Sequence, residues 1–142
     1  MGPDTAGGGN IELVQKAFEA FAARDADTLS ALVHPEVEFF PMTRALAGRR
    51  EPYRGRGGIR EYLRDVAIFW QELEVIPRRM SDGGGHVVVH GRVRGRTGGT
   101  VIDSPADWIW KINDGLIAWG CVYAKRDAET AFRAAGVPVA SG

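Results

Sequence analysis

The sequence predicts one α+β domain in which three N-terminal helices pack in the concave face of a curved antiparallel sheet and enclose one apolar pocket. Three observations predict this fold. A chain of 142 residues is close to the commonest size of a single domain. Apolar residues recur at helical spacing in the first half of the chain and at a period of two in the second half. Turn residues separate the period-two segments, which is typical of consecutive hairpins and not of βαβ units.

The first half of the chain predicts three helices. The first spans Ile11 to Ala23, where apolar side chains recur every three or four residues, and Asn10 is its predicted N-cap. The second is short, with Asp27 as its predicted N-cap and His34-Pro35 as its end, because proline restricts the residue before it. The third runs from Gly58 to about Gln71.

The second half predicts a run of antiparallel strands, preceded by one short extended segment from Val37 to Phe40. The strand candidates are Leu73 to Met80, His86 to Arg96, Thr100 to Ile112 and Leu116 to Tyr123. Between them stand Asp82-Gly83-Gly84-Gly85, Thr97-Gly98-Gly99 and Asn113-Asp114-Gly115, all with turn chemistry. A short helix from Ala128 to Ala135 is predicted after the last strand, because Gly136 and Pro138 follow it.

The domain is expected to span residues 11–136. Residues 1–10 are rich in glycine and lack both a basic region and an apolar stretch, which is typical of a flexible tail rather than of a signal peptide. Residues 137–142 form a second tail. The segment from Thr43 to Gly58 is a loop rich in arginine and glycine, and its length favours a role as a lid or in binding.

Charge and composition disfavour several function classes. The formal net charge is zero, whereas nucleic-acid binders normally carry a basic surplus, so nucleic acid is not expected as a partner. The single cysteine, Cys121, forms no intramolecular disulfide and no multi-cysteine metal site. We expect neither metal nor cofactor. No stretch approaches the roughly 20 apolar residues that span a bilayer, so no membrane partner is expected and a cytoplasmic location is the default.

Strand alternation predicts which side chains face inward. One face of the third strand candidate carries Trp108, Trp110 and Ile112, and the other carries Asp107, Ile109 and Lys111. On the preceding strand a basic stripe consists of His90, Arg92, Arg94 and Arg96. A solvated or subunit-facing stripe, paired across strands with acids such as Asp107, is favoured over a phosphate-binding groove because the total charge is neutral.

Four segments carry a resemblance to a known family. They read Val14-Gln15-Lys16-Ala17-Phe18 closed by Arg24-Asp25-Ala26-Asp27, His34-Pro35-Glu36-Val37-Glu38-Phe39, Tyr53-Arg54-Gly55-Arg56-Gly57-Gly58-Ile59-Arg60-Glu61-Tyr62-Leu63, and Trp110-Lys111-Ile112-Asn113-Asp114-Gly115-Leu116-Ile117. In this order the chain from Ile11 to Gly136 resembles the SnoaL-like branch of the nuclear-transport-factor-two-like superfamily. The resemblance implies a cone whose mouth opens between helices and sheet, and commonly a homodimer through the outer face of the sheet.

The resemblance also implies where catalytic groups would lie. A ketosteroid-isomerase-like site would have its base near Phe40, a tyrosine at Ala17 and a carboxylic acid at Trp108, and none of these groups is present. The aspartate of SnoaL-type cyclases also aligns with Trp108, whose indole donates a hydrogen bond but takes no proton. A limonene-epoxide-hydrolase-like site would need acids that Arg92-Val93-Arg94 and the last strand lack. A scytalone-dehydratase-like site would need histidines in the pocket.

An aromatic pocket therefore remains as the candidate site. A single aromatic residue more often fills the core than contacts a ligand. The aromatic residues of this chain are, however, more numerous than a closed core of this size requires. The predicted pocket residues are Phe18, Phe21, Phe40, Tyr53, Tyr62, Trp108, Trp110, Trp119 and Cys121. Of these, Trp108 and Tyr53 would orient a substrate, and Cys121 is expected to be a buried, inert thiol.

The candidates for a catalytic role are His34, Tyr53 and Asp103. At a helix end, however, His34 would more often interact with the carbonyls of the last turn. Asp107 and Lys111 share one face of their strand, so an exposed ion pair between them is predicted.

Two functional hypotheses follow from the sequence. The first is a SnoaL-like domain that binds an apolar, cyclic small molecule and that, as an enzyme, would be a cofactor-independent isomerase, cyclase or hydrolase. The second is a non-catalytic binding or dimerisation module whose arginine-rich strand face meets a partner.

Overall fold

A computed structural model of the chain describes residues 4–41 and 51–124. Within these residues the helices are Asp4–Ala22 (α1), Ala26–Ala31 (α2) and Gly55–Phe69 (α3). The strands are Val33–Phe40 (β1), Tyr53–Arg54 (β2), Glu72–Asp82 (β3), His86–Thr97 (β4), Thr100–Asn113 (β5) and Leu116–Ala124 (β6). The predicted α+β class is confirmed. The helix predicted at 128–135 and most of the arginine-rich loop, residues 43–50, lie outside the described residues.

The strands form one curled, unclosed sheet in the order β2-β1-β6-β5-β4-β3, with the helices on one face. Successive hairpins pair β3 with β4, β4 with β5 and β5 with β6 in antiparallel fashion. The pair β1–β6 is parallel, which differs from the predicted antiparallel sheet. Since β1 follows α2 and no hairpin turn joins it to β6, turn geometry does not set its direction.

A bulge in β3 bends the sheet. Pro77 pairs with Gly91, and the next paired residue of β3 is Arg79, so Arg78 is the extra residue that defines the bulge. At this point the two backbones approach so closely that a Cβ atom on Gly91 would lie 2.1 Å from the carbonyl oxygen of Ile76. Glycine at position 91 is therefore required for the bend.

The core fills the space between the concave face of the sheet and the helices. At its centre Val14 of α1 meets the inward face of β4, where Val87 and Val89 are fully buried. One face of α3, with Ile59 and Leu63, closes the other side. Burial of each such side chain contributes roughly 1.5–3 kcal/mol, so this layer holds the helices on the sheet.

The first two helices begin at other residues than predicted. The N-cap predicted at Asn10 is wrong, because α1 starts at Asp4 and Asn10 lies inside it. Glycine lowers helix stability by roughly 1 kcal/mol per residue without forbidding the helix, so the glycines before Asn10 did not stop it. The N-cap of α2 is Asp25 and not Asp27, because the Asp25 carboxylate accepts a hydrogen bond from the Thr28 N–H at 3.1 Å.

The second helix also ends earlier than predicted, at Ala31. The residues that follow α2 pair with β6 directly. The Ile117 N–H donates to the Leu32 carbonyl at 3.0 Å, and Val33 pairs with Ile117 as the first residue of β1. The helix therefore ends because the following residues pair with β6, and not because of Pro35. His34 lies within β1, so its predicted role at a helix end is wrong.

The third helix spans Gly55–Phe69 instead of the predicted Gly58 to Gln71. Its C-terminal end is set by the sheet, because the Gln71 N–H donates to the Arg96 carbonyl of β4 at 2.8 Å. Among the described helices, none combines the length and the hydrophobicity needed to cross a lipid bilayer. The division into tails and domain and the cytoplasmic location stay predictions.

The close approach at the bulge predicts that Gly91→Ala is destabilising. The added methyl group would collide with backbone, which moves only if the strand pair separates, so we expect the free energy of unfolding to fall by about 1–3 kcal/mol. The matched control is Gly57→Ala in the first turn of α3, where a Cβ meets no atom within 4 Å. There we expect a small gain, because alanine is the better helix former. Urea denaturation measures both changes, and an equal effect of the two substitutions would contradict the assigned cause.

Candidate functional site

A cavity lies between the helices and the concave face of the sheet. Its atom-free space is about 560 Å³ when the part open to solvent is counted, and the part that the centre of a water molecule can reach is about 60 Å³. One water needs roughly 10–15 Å³ by the second measure, so there is room for roughly one ring system. The wall consists of Ala17, Phe18, Phe21, Leu29, Val33, Val37, Phe39, Ile59, Tyr62, Val75, Trp108, Trp110 and Ile117.

Ring contacts hold the aromatic wall in place. The Phe18 ring meets Trp108 and Trp110 edge-on, with centroid distances of 5.3 and 5.9 Å. Phe39 stacks on Trp110, with centroids 5.6 Å apart. The Trp110 indole lies directly on the backbone of β6, where a Cβ atom on Gly120 would be 2.3 Å from its ring. Because each ring contacts others, the aromatic side chains fix the shape of the cavity wall.

Five of the predicted pocket residues lie on this wall, namely Phe18, Phe21, Tyr62, Trp108 and Trp110. That they contact a ligand stays a prediction. The inward parity predicted for β5 is the one observed, since Trp108 and Trp110 face the cavity while Asp107 pairs across the opposite face.

Three predicted pocket residues lie on the outer face of the sheet, which corrects the sequence prediction. In β6, Trp119 pairs with Lys111 and Cys121 pairs with Ile109, both on the outward side of β5. The cause is a register shift in β6. Ile112 pairs with Ile117, but the next pair is Lys111 with Trp119, so Ala118 is an extra residue and the parity of β6 changes there. The Phe40 ring also lies on the outer face, with its centroid 5.8 Å from that of Trp119.

Tyr53 stands behind the cavity wall and not on it. It is almost fully buried, and its hydroxyl donates a hydrogen bond to Asp65 Oδ2 at 2.5 Å. Its ring packs against Tyr62, with centroids 5.3 Å apart. Tyr53 therefore packs behind Tyr62, which itself lines the cavity, and is not placed on the wall to orient a substrate there.

The other catalytic candidates also lie away from the cavity. His34 is half-buried in β1, where its Nδ1 accepts a hydrogen bond from the Glu36 N–H at 3.1 Å. Asp103 is exposed on the outer face of β5, hydrogen-bonded to Arg92 and 3.7 Å from Arg94. The hydrogen bond from Arg92 lowers the pKa of the Asp103 carboxyl. Asp103 is thus a charged partner of the basic stripe.

The basic stripe on β4 pairs across strands, as predicted. His90 Nδ1 lies 2.7 Å from Asp107 Oδ1, and Arg96 pairs with Glu72 of β3. Asp107 is buried, and the predicted exposed ion pair with Lys111 is wrong. The Lys111 ammonium lies instead over the ring of Trp119, 4.7 Å from its centroid. A buried carboxylate needs a close partner, and His90 is the nearer one across the ladder.

Two polar groups of the wall have no hydrogen-bond partner among the described residues. The indole N–H of Trp110 is buried without an acceptor. The Tyr62 hydroxyl likewise has no described partner, and burial raises its pKa well above the ordinary value. Both groups stay protonated, so each is a hydrogen-bond donor without an acceptor among the described residues.

Sequence reasoning missed the aliphatic part of the wall and Phe39. The signal was present for Phe39, because it shares strand parity with Val37, which is fully buried. No sequence signal identifies Val75 of β3 or Leu29 of α2 as wall residues, since their positions depend on the bend of the sheet.

The buried phenol of Tyr62 predicts a loss of stability at alkaline pH. Below about pH 10 Tyr62 is protonated in both the folded and the unfolded chain. Above this pH the unfolded chain releases the proton while the folded chain retains it, so the free energy of unfolding falls as pH rises. We expect Tyr62→Phe to make this fall shallower. Urea denaturation at about pH 8 and about pH 11 measures it, and parallel declines of both proteins would contradict the assignment.

Solved structures share this fold. An NTF2-like protein of unknown function from Burkholderia pseudomallei gives a TM-score of 0.74 at 20% identity, covering 88% of this chain and 95% of that one. TerC, co-crystallised with polyporic acid, gives 0.72 at 25% identity, covering 87% and 96%. An LEH-like epoxide hydrolase of M. tuberculosis gives 0.68 at 18% identity, covering 84% and 85%. The first and third similarities show the fold alone.

The family comparison agrees with the geometry. Comparison with curated proteins gives no match. The family described as SnoaL-like domain matches residues 14–119, which include α2, α3 and the strands that form the cavity wall. The resemblance found in the sequence is confirmed, and the chain belongs to the SnoaL-like domain family.

Proposed function

We propose that the domain binds a small apolar molecule with a planar ring in the cavity. The observation that carries this proposal is the void among the aromatic rings. Protein interiors are normally packed to the density of organic crystals, and an unfilled apolar space lowers stability. A planar ring would restore the dispersion contacts that the wall atoms lack.

The chemistry of the wall favours binding over proton transfer. The described wall residues carry no carboxylate, imidazole, amine or thiol. Ala17 and Trp108 are on the wall, at two positions where the resemblance implies catalytic groups in relatives. What these described residues offer a ligand is packing against aliphatic and aromatic surface. The proposed function is therefore ligand binding without acid–base catalysis by the wall.

The comparison with TerC supports a small molecule as the occupant. TerC is 25% identical to this chain over most of both proteins and was crystallised with polyporic acid. The small volume of the present cavity favours a ligand with one ring system inside it.

Filling the cavity is expected to abolish binding. Ala17 lines the cavity and is buried in α1, so Ala17→Leu would place three further carbon atoms in the void. We expect the affinity for naphthalene-type probes to fall at least about tenfold, because the ligand and the new side chain compete for one space. Quenching of tryptophan fluorescence provides the readout, since Trp108 and Trp110 lie on the wall.

The matched control is Ala22→Leu, an exposed position of the same helix. It adds the same atoms outside the cavity, and we expect wild-type affinity. If Ala17→Leu is poorly folded by circular dichroism, Val75→Ile fills the same cavity by one carbon atom. Equal affinity of wild type and of both filled variants would disprove the proposed function.

A second candidate function is homodimerisation through the outer face of the sheet. The observation that favours it is the half-buried cluster of Phe40, Trp119 and Lys111, which lies on the same face of the sheet as the basic stripe. Aromatic rings with a polar rim are typical of protein interfaces.

Reversing charge on the stripe tests this second candidate. We expect Arg92→Glu combined with Arg94→Glu to shift a dimer to monomer, because the ion pairs with Asp103 would be lost and three carboxylates on each face would repel those of the other copy. The control, Arg60→Glu with Arg64→Glu, makes the same change of net charge on α3. Sedimentation velocity reports the mass of each protein. A wild-type monomer, or a dimer unaffected by the stripe variant, would count against this interface.

A further inference from the structure

A second, more open groove lies between α1 and β3. Its volume, measured as the space that the centre of a water molecule can reach, is about 470 Å³. It is lined by Ile11, Gln15, Phe18, Glu19, Pro77, Arg78 and Met80. Phe18 also lines the cavity. The ring of this one residue therefore stands between an apolar cavity and a groove with polar walls.

The bulge of β3 sets the position of Arg78 in the groove. As the extra residue of the bulge, Arg78 is outside the regular alternation of the strand. Its side chain is exposed, and it forms no ion pair with a carboxylate of the described residues, unlike Arg92 and Arg96 on the outer face. A guanidinium without a counter-charge is suited to a carboxylate or phenolate, which it binds through paired hydrogen bonds.

The opposite wall of the groove belongs to α1. Gln15 and Glu19 are both exposed there, one helical turn apart. No ion pair links Glu19 to Arg78, so the acid and the base stand on separate walls of the groove. An anionic group beside Arg78 would gain from the guanidinium and from the Gln15 amide, and would be repelled by Glu19.

We propose that this groove is the entrance and polar subsite of the cavity, and that the ligand is a ring-bearing organic anion whose charged group contacts Arg78. The inference rests on the proposed binding function and adds the class of ligand. The ring occupies the cavity past Phe18, and the carboxylate or phenolate stays in the groove. The cavity wall itself is almost wholly carbon and could not recognise this charge.

A matched pair of probes tests the charge preference. We expect naphthoate to bind the wild-type protein more tightly than its neutral methyl ester, as measured by isothermal titration calorimetry. Arg78→Met should weaken naphthoate binding about tenfold and leave the ester unchanged, because only the anion uses the guanidinium. Glu19→Gln should strengthen naphthoate binding. The control is Arg79→Met, an exposed arginine outside the groove, which should change neither affinity.

The outcomes separate this inference from the proposed function. If both probes bind the wild type equally and Arg78→Met has no effect, the charged subsite is wrong while binding in the cavity stands. If neither probe binds, the proposed function fails and the inference fails with it.

A block placed in the groove tests the entrance. Gln15→Cys carries a thiol in the groove, and the native Cys121 is buried, so a bulky maleimide labels position 15 selectively. We expect the label to slow naphthoate association at least about tenfold in stopped-flow quenching, because the path past Phe18 is obstructed. The control is labelled Lys16→Cys, on the same helix but outside the groove. Equal association rates of the two labelled proteins would overturn the assignment of the entrance.

Discussion

The bend of the sheet at Gly91 is the constraint on which the rest of the structure depends. There the bulge of β3 brings the Ile76 carbonyl into the space that any side chain at position 91 would occupy. A sheet without this bend would lie against α1 along its length, and facing side chains would close on one another. With the bend, α1 spans a concave surface, and the space left beneath it becomes the cavity. The same extra residue that bends the strand, Arg78, also brings charge to the groove beside it.

Within this frame the aromatic side chains keep the cavity from collapsing. The Trp110 ring contacts the rings of Phe39 and Phe18 and lies on the backbone at Gly120. Moving it would require several rings to shift together. The unfilled space costs roughly 24 cal/mol for each Å³ by the measure used for engineered cavities. A ligand bound in the cavity would offset this cost, and this links the packing to the proposed function.

The sequence predicted the fold well and the site only in part, and the difference has one cause. Periodicity depends on local geometry, so the hairpin strands and the helices, apart from the start of α1, were predicted to within a few residues. The parity of Trp108 and Trp110 was right because their strand is regular there. A bulge changes parity for every residue beyond it, so Trp119 and Cys121 were assigned to the wrong face. The positions of Val75 and Leu29 relative to the cavity depend on the curvature of the sheet, which periodicity does not contain.

The described ion pairs of the sheet and the cavity lie on opposite faces of the sheet. The resemblance implies that relatives place polar catalytic groups inside the cone, whereas here the described ion pairs of β4 and β5 lie on the outer face and the cavity wall is apolar. An apolar wall distinguishes ligands by size and shape, and a hydrophobic pocket alone discriminates weakly between molecules that differ by one polar group. Selectivity for a polar substituent must therefore come from a surface next to the cavity. In the described part of the chain, the groove that shares Phe18 with the cavity has this position, and its one arginine and one glutamate lie where a ligand too long for the cavity would extend.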